Sequence, residues 1–72
     1  MTVEQEFKLN FPDCVYLGHK NIGADKIAVS WVKVNPIRIT KGVKEFEIID
    51  GRIKWWRPVD TFIETQEIRQ RG

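Results

Sequence analysis

The chain contains few of the residues with which small domains form cross-links or metal sites. Its 72 residues include one cysteine, Cys14, and one histidine, His19. A single cysteine excludes an intrachain disulfide, whereas a secreted domain of this length usually carries several. The cysteine content therefore predicts a reducing compartment, and we expect the protein to be cytoplasmic.

Residues in arrangements suited to catalysis are equally scarce. Cys14 and His19 could supply two zinc ligands, but no second Cys/His pair is present to complete a tetrahedral site. Glu45 and Glu47 would lie about 7 Å apart on one face of a strand, and we interpret them as solvated strand residues. The five glycines match no phosphate-binding loop. The sequence predicts a protein that is not an enzyme and that uses neither a metal nor a small-molecule cofactor.

Long apolar runs are also missing. The most apolar segment, residues 27–34, contains Ser30 and Lys33 and is far shorter than the roughly 20 residues that span a bilayer. The first residues are acidic and include no apolar run, so we expect no signal peptide. The sequence therefore predicts no membrane partner.

The composition is that of a folded chain. Hydrophobic residues make up 42% and charged residues 31%, which is too apolar for a disordered segment. Three tryptophans supply large units for a small core. We expect a single small domain that spans residues 1–72. The net charge is only +2, and it is concentrated in the middle of the chain, because both ends are acidic.

Two elements stand out at the start of the chain. Residues 2–11 are predicted to form a short helix, because Thr2 and Gln5 have the spacing of a capping box and Pro12 ends the pattern. The alternative is a strand, since apolar residues also alternate there. Residues 26–34 are predicted to form a central strand with Ile27, Val29 and Trp31 on one face, because both of its faces are largely apolar.

Shorter strands and connections are predicted between glycine and proline positions. Gly18 is expected to end the first strand, and Lys41-Gly42 to be a tight connection between two further strands. The predicted segments are a strand at 14–17, a loop at 21–25, and strands at 37–40 and 43–49.

The clearest local signal is a hairpin. Asp50-Gly51 between apolar alternations is typical of a two-residue turn whose strands are residues 43–49 and 52–57. Such a turn sends Trp55 to an apolar face and its neighbour Trp56 to a more polar face. The cross-strand pairs predicted by this register are Ile49–Arg52, Ile48–Ile53, Glu47–Lys54, Phe46–Trp55 and Glu45–Trp56.

The last segment, residues 59–70, fits two structures. Thr61 and Glu64 have capping-box spacing, which favours a helix, while alternating β-branched residues suit a strand; the helix is our preferred interpretation. The predicted fold class is α+β, mainly β. It is a four- or five-stranded antiparallel meander, either a curled sheet or a small open barrel, with a short N-terminal helix and this C-terminal helix.

An exposed tryptophan among cations defines the candidate site. Trp56 could anchor a protein partner or stack on a base, unless the C-terminal segment covers it. The surrounding cations could follow a phosphate backbone or could be ordinary solvated strand residues. The candidate binding residues are Trp56, Arg52, Lys54, Arg57, Arg38 and Lys44.

Two functions follow from this site. The first is a protein-interaction domain, which acts as a subunit, adaptor or inhibitor of a cytoplasmic complex, or which self-associates. The second is a small nucleic-acid-binding domain. In architecture the chain resembles small barrel-like nucleic-acid modules, but the aromatic signatures of RRM and cold-shock domains do not align with it. In its length it also resembles small accessory proteins of phages or mobile elements. The weak net charge favours the protein partner.

Overall fold

The computed structural model describes residues 1–67 and contains, in that range, one helix followed by five strands. The elements in chain order are α1 (Val3–Asn10), β1 (Val15–Gly23), β2 (Lys26–Asn35), β3 (Arg38–Ile49), β4 (Arg52–Ile53) and β5 (Val59–Glu67).

Helix α1 begins and ends where the sequence predicts. The Thr2 hydroxyl accepts a hydrogen bond from the Gln5 backbone N–H, and the Gln5 side chain accepts one from the Thr2 N–H, so the predicted capping box is confirmed. An exposed ion pair joins Lys8 to Glu4 one turn earlier, at 2.9 Å. The helix buries a single residue, Phe7, which attaches it to the sheet.

The strands form a curled antiparallel half-barrel, and the predicted class of α+β, mainly β, is confirmed. Strand β2 lies between β1 and β3, as its two apolar faces predict. Strands β4 and β5 both pair with β3 on the edge opposite β2. They form one return arm, which is interrupted by residues 54–58.

The predicted break at Lys41-Gly42 is wrong, because β3 runs unbroken through it. A Cβ at Gly42 would lie 2.7 Å from Cζ2 of Trp31 and 2.7 Å from the Thr61 carbonyl oxygen. Glycine is therefore required here by close packing within a strand, and not by a turn.

Strand β1 is longer than predicted, and the loop is shorter. Gly18 does not end the strand, and Asn21 and Gly23 pair with β2, so that only Ala24 and Asp25 form the turn. The ladder is irregular at Leu17 and at Ile22, each of which is left without a partner residue. Such β-bulges let a strand continue past positions that the sequence pattern marks as breaks.

The Asp50-Gly51 hairpin is confirmed at its turn and only in part along its arms. Both turn residues have positive φ, 54° and 75°, as a type I′ turn requires. Ile48 pairs with Ile53, and Ile49 with Arg52, in the predicted register. The return strand then ends, so the strand pairings predicted for Trp55 and Trp56 do not form.

The predicted C-terminal helix is wrong over the described residues, since Val59–Glu67 is a strand that pairs with β3 along its length. Residues 68–70 of that predicted helix lie outside the described range. The segment forms the strand that its alternating β-branched residues favour, and not the helix that its capping-box spacing favours, because the open edge of β3 is available for pairing.

The core lies between α1 and one face of the sheet. Ile27, Val29 and Trp31 are buried on that face, as predicted for β2. Phe7 of the helix, Phe46 of β3 and Trp55 of the return arm complete the cluster. Within residues 1–67, the buried Nε1 of Trp31 has no hydrogen-bond partner.

Candidate binding surface at Trp56

The two neighbouring tryptophans occupy the middle of a β-turn, and not of a strand. The Arg57 N–H donates to the Lys54 carbonyl at 3.3 Å, which places Trp55 and Trp56 at the two central positions. The Lys54 N–H still donates to the Glu47 carbonyl at 2.9 Å, so the turn begins directly on the edge of β3. The predicted burial of Trp55 and exposure of Trp56 are confirmed, but a turn separates their side chains, and not strand alternation.

Trp55 fixes this turn to the core. Its ring packs edge-on against Phe46, with centroids 4.7 Å apart, and it also contacts Phe7 and Phe11. Its Nε1–H donates to a carboxylate oxygen of Glu6 at 3.2 Å, which ties the turn to α1. The backbone that carries Trp56 is therefore held by packing and by a hydrogen bond on its inner side.

Trp56 itself is 72% exposed and lies at a groove between α1 and the hairpin. The groove has a volume of about 500 Å³. Its apolar walls come from Val3 on the helix and from Ile53 on β4, both half-buried. The polar residues at its margins are Glu6 and Arg52, of opposite charge. This arrangement can accept an apolar side chain while its rim offers both a donor and an acceptor.

The other nearby cations of the predicted set lie around the same turn. Lys54 is half-buried and Arg57 is exposed. Arg57 lines a small cleft of about 60 Å³ together with Lys26, Glu45 and Glu47, so two carboxylates and a second cation share this cleft with it. Arg52, Lys54, Trp56 and Arg57 are thus brought together at one end of the return arm.

Arg38 and Lys44 are not part of this cluster. Arg38 begins β3, at the end of the strand remote from the hairpin, and lies 3.8 Å from Glu67. Lys44 lies on the core face, 2.6 Å from Asp60, with its ammonium over the rings of Phe11 and Trp31. The six candidate binding residues therefore do not form one cluster, and two of them form ion pairs with β5.

Two features of this surface were not predicted from the sequence. Val3 and Glu6 reach the groove only because α1 packs beside residues separated from them by more than forty positions, as the hydrogen bond from Trp55 to Glu6 shows. The acidic partners of Arg38 and Lys44 belong to β5, for which the sequence favours a helix. Had β5 been predicted as a strand, its acids would have pointed to the cations of β3.

Cys14 and His19, the two residues considered as zinc ligands, do not line the groove or the cleft at this turn. Burial raises the pKa of the Cys14 thiol, although the Lys44 ammonium acts in the opposite direction. His19 is exposed and is hydrogen-bonded through Nδ1 to the Tyr16 hydroxyl. Among residues 1–67, no three His, Cys, Asp or Glu side chains converge in a way that could hold a metal ion. In the same range, no helix has the length and apolar character needed to cross a membrane.

Comparisons with protein-family models, with curated proteins and with solved structures give no match for this chain.

Proposed function

We propose that this protein is a non-catalytic interaction domain that binds another protein in the cytoplasm through the groove at Trp56. The partner inserts an apolar side chain between Trp56, Val3 and Ile53. The observation that carries the proposal is the exposure of Trp56 on a turn that Trp55 anchors in the core.

Energetics favour this position for a binding contact. Exposed tryptophan and arginine are enriched among the residues that dominate protein interfaces. The turn is already fixed by the Trp55–Phe46 contact and by the Trp55–Glu6 hydrogen bond, so binding would cost little backbone ordering. An exposed Trp56 contributes little to the fold, because it lies outside the buried cluster.

Nucleic-acid binding is the second candidate, and one observation favours it. Trp56 is exposed beside Arg52 in the groove and precedes Arg57 in the sequence, so a base could stack on its indole ring near these cations. However, Glu45 and Glu47 line the same cleft as Arg57, and Arg38 and Lys44 face acids of β5. The continuous positive surface that a phosphate backbone requires is thereby reduced.

The test is an affinity capture from a lysate of the source cells, with and without nuclease, with three baits. These are the unmodified protein, Trp56→Ala, and Leu9→Ala. Leu9 is a matched control because it is 69% exposed on α1 and does not line the groove at Trp56. We expect one protein to be captured by the unmodified bait and by Leu9→Ala, after nuclease treatment, and to be lost with Trp56→Ala.

Two results would reject the protein partner. The first is capture that Trp56→Ala leaves unchanged, and the second is recovery of nucleic acid alone. In the second case, tryptophan fluorescence quenched by an oligonucleotide at low salt, and restored at high salt, would establish the alternative. Because Trp56 is a surface residue, its replacement should change the free energy of unfolding by less than about 0.5 kcal/mol, so a loss of capture would not reflect unfolding.

A further inference from the structure

Apart from the two-residue β4, the half-barrel leaves two strand edges unpaired within the described part of the chain. Strand β1 pairs only with β2, and β5 pairs only with β3. These edges are nine residues long in each case, which is enough to add a further strand. Along the order β1-β2-β3-β5 each strand is antiparallel to the next, so β1 and β5 themselves run in opposite directions.

Exposed apolar side chains concentrate on these two edge strands. Of the twelve large hydrophobic residues that are exposed among residues 1–67, six belong to β1 or β5. Every residue of β5 is exposed, including Phe62 and Ile63. Ordering its backbone costs about 1–2 kcal/mol per residue, and no side chain of β5 is buried to offset that cost. The six exposed residues on the two strands are Val15, Leu17, Ile22, Val59, Phe62 and Ile63.

The charges of the two edges are complementary. Strand β1 contains one cation, Lys20, and no carboxylate, whereas the charged residues of β5 are all acidic: Asp60 and Glu67, which pair with cations of β3, and Glu64. Pairing β1 with β1, or β5 with β5, would bring like charges together, which is unfavourable. Pairing β1 of one copy with β5 of another brings opposite charges together.

We propose that two copies of this chain associate edge to edge, with β1 of each copy against β5 of the other, and close the two half-barrels into one. The opposite directions of β1 and β5 make both junctions antiparallel, and a two-fold axis relates them. This surface is separate from the groove at Trp56. A standard interface buries about 800 Å² of each partner, which is roughly a seventh of the 5549 Å² surface of this chain.

Lys20 and Glu64 fix the register of the junction. Lys20 pairs with Ala28 on β2, and Glu64 pairs with Lys41 on β3; both therefore lie on the face of the sheet away from α1. Among residues 1–67, neither has an ion-pair partner. Opposing Lys20 to Glu64 in an antiparallel junction pairs residues 18–20 with residues 64–66, three regular positions that lie between the bulges at Leu17 and Ile63.

The experiment is sedimentation equilibrium of the full chain and of two charge reversals, Lys20→Glu and Glu64→Lys. We expect the unmodified protein to have about twice its monomer mass of 8.5 kDa, with an affinity that weakens as salt rises. Each variant alone should associate at least tenfold more weakly, because both junctions of its dimer then contain like charges. An equimolar mixture should regain the dimer, because each junction then opposes a lysine to a glutamate.

The controls are Lys8→Glu and Glu4→Lys, which make the same charge changes on the exposed face of α1 and should leave the dimer intact. Circular dichroism of each variant verifies that it is folded. The proposal is overturned if the unmodified protein remains a monomer at millimolar concentration. It is also overturned if the single reversals still dimerise, or if mixing them restores nothing.

Discussion

The part of the half-barrel beneath α1 and the part beyond Trp31 are built from the same β2–β3 ladder, yet they are held by different forces. Beneath α1, Phe7, Phe46 and Trp55 are almost completely buried and pack edge to face. Beyond Trp31, β3 pairs with a fully exposed β5. Three cross-strand pairs bring a cation of β3 opposite an acid of β5: Arg38–Glu67, Lys41–Glu64 and Lys44–Asp60.

The difference shows how little of this sheet is stabilised by burial. A short helix with one buried residue determines which side of the half-barrel becomes a core. The remainder depends on backbone pairing and on cross-strand charges, of which Arg38–Glu67 is exposed and Lys44–Asp60 is partly covered. Single backbone hydrogen bonds and exposed ion pairs each contribute little in water. We therefore expect the two parts to differ sharply in their sensitivity to substitution, while the exposed part retains surface for association.

The largest expected effect is a difference in the loss of stability when each of two phenylalanines is replaced by alanine. Phe7 is 0% exposed beneath the helix, and Phe62 is 67% exposed on β5. Phe7→Ala should lower the free energy of unfolding by about 3–5 kcal/mol, which matches the roughly 3–5 kcal/mol that a core of this size supplies, so the variant should be unfolded. Phe62→Ala removes an edge contact with Trp31 and should cost about 0.5–1.5 kcal/mol.

Urea unfolding followed by circular dichroism measures both changes. Equal losses at Phe7 and Phe62 would remove the distinction between the two parts of the sheet.

A second change tests the boundary between the two parts, where Gly42 touches the Trp31 ring. Gly42→Ala should displace the indole and lower the free energy of unfolding by about 1–3 kcal/mol. Gly23→Ala is the matched control, because the added Cβ would meet only an Asp25 oxygen at 3.9 Å. Thermal unfolding, together with the tryptophan emission wavelength of the protein, measures the result. Identical stabilities of the two variants would contradict the close packing.

The third change weakens the helix that defines the core. Thr2→Ala removes the hydroxyl that caps α1 and should cost about 0.5–2 kcal/mol, whereas Thr2→Ser should keep the cap. Because α1 covers only one part of the sheet, hydrogen exchange should accelerate around Phe7 and Phe46 and stay unchanged in β5. A uniform acceleration would show that the two parts unfold as one unit.

The smallest expected effect concerns Cys14, which packs against the buried cluster. Burial raises the pKa of its thiol in the folded state. Its contribution to stability is therefore complete below the pKa of the unfolded thiol and is lost as pH rises through the folded-state value. Alkylation of the folded protein should thus reach half its maximal rate at a higher pH than alkylation in urea; the reverse order would place the thiolate in a stabilising environment.

Much of the local structure could be predicted from neighbouring residues. The capping box of α1, the apolar face of β2 and the turn at Asp50-Gly51 depend on interactions within a few positions. The exposure of Trp56 was also predicted, although the turn that produces it was not. The predictions at Gly42 and at the capping-box spacing of Thr61 and Glu64 were wrong, because residues distant in the sequence determine the structure at both places.

The sequence by itself determined the helix, the central strand and the hairpin, because capping, alternation and turn chemistry act through adjacent residues. Only the tertiary structure decided that Gly42 lies against Trp31 and that residues 59–67 pair with β3 as a strand. It also decided that α1 supplies a wall of the groove at Trp56. These outcomes depend on contacts between residues that are distant in the sequence. A segment whose local preferences for strand and helix are similar becomes a strand when a neighbouring strand edge is available for pairing.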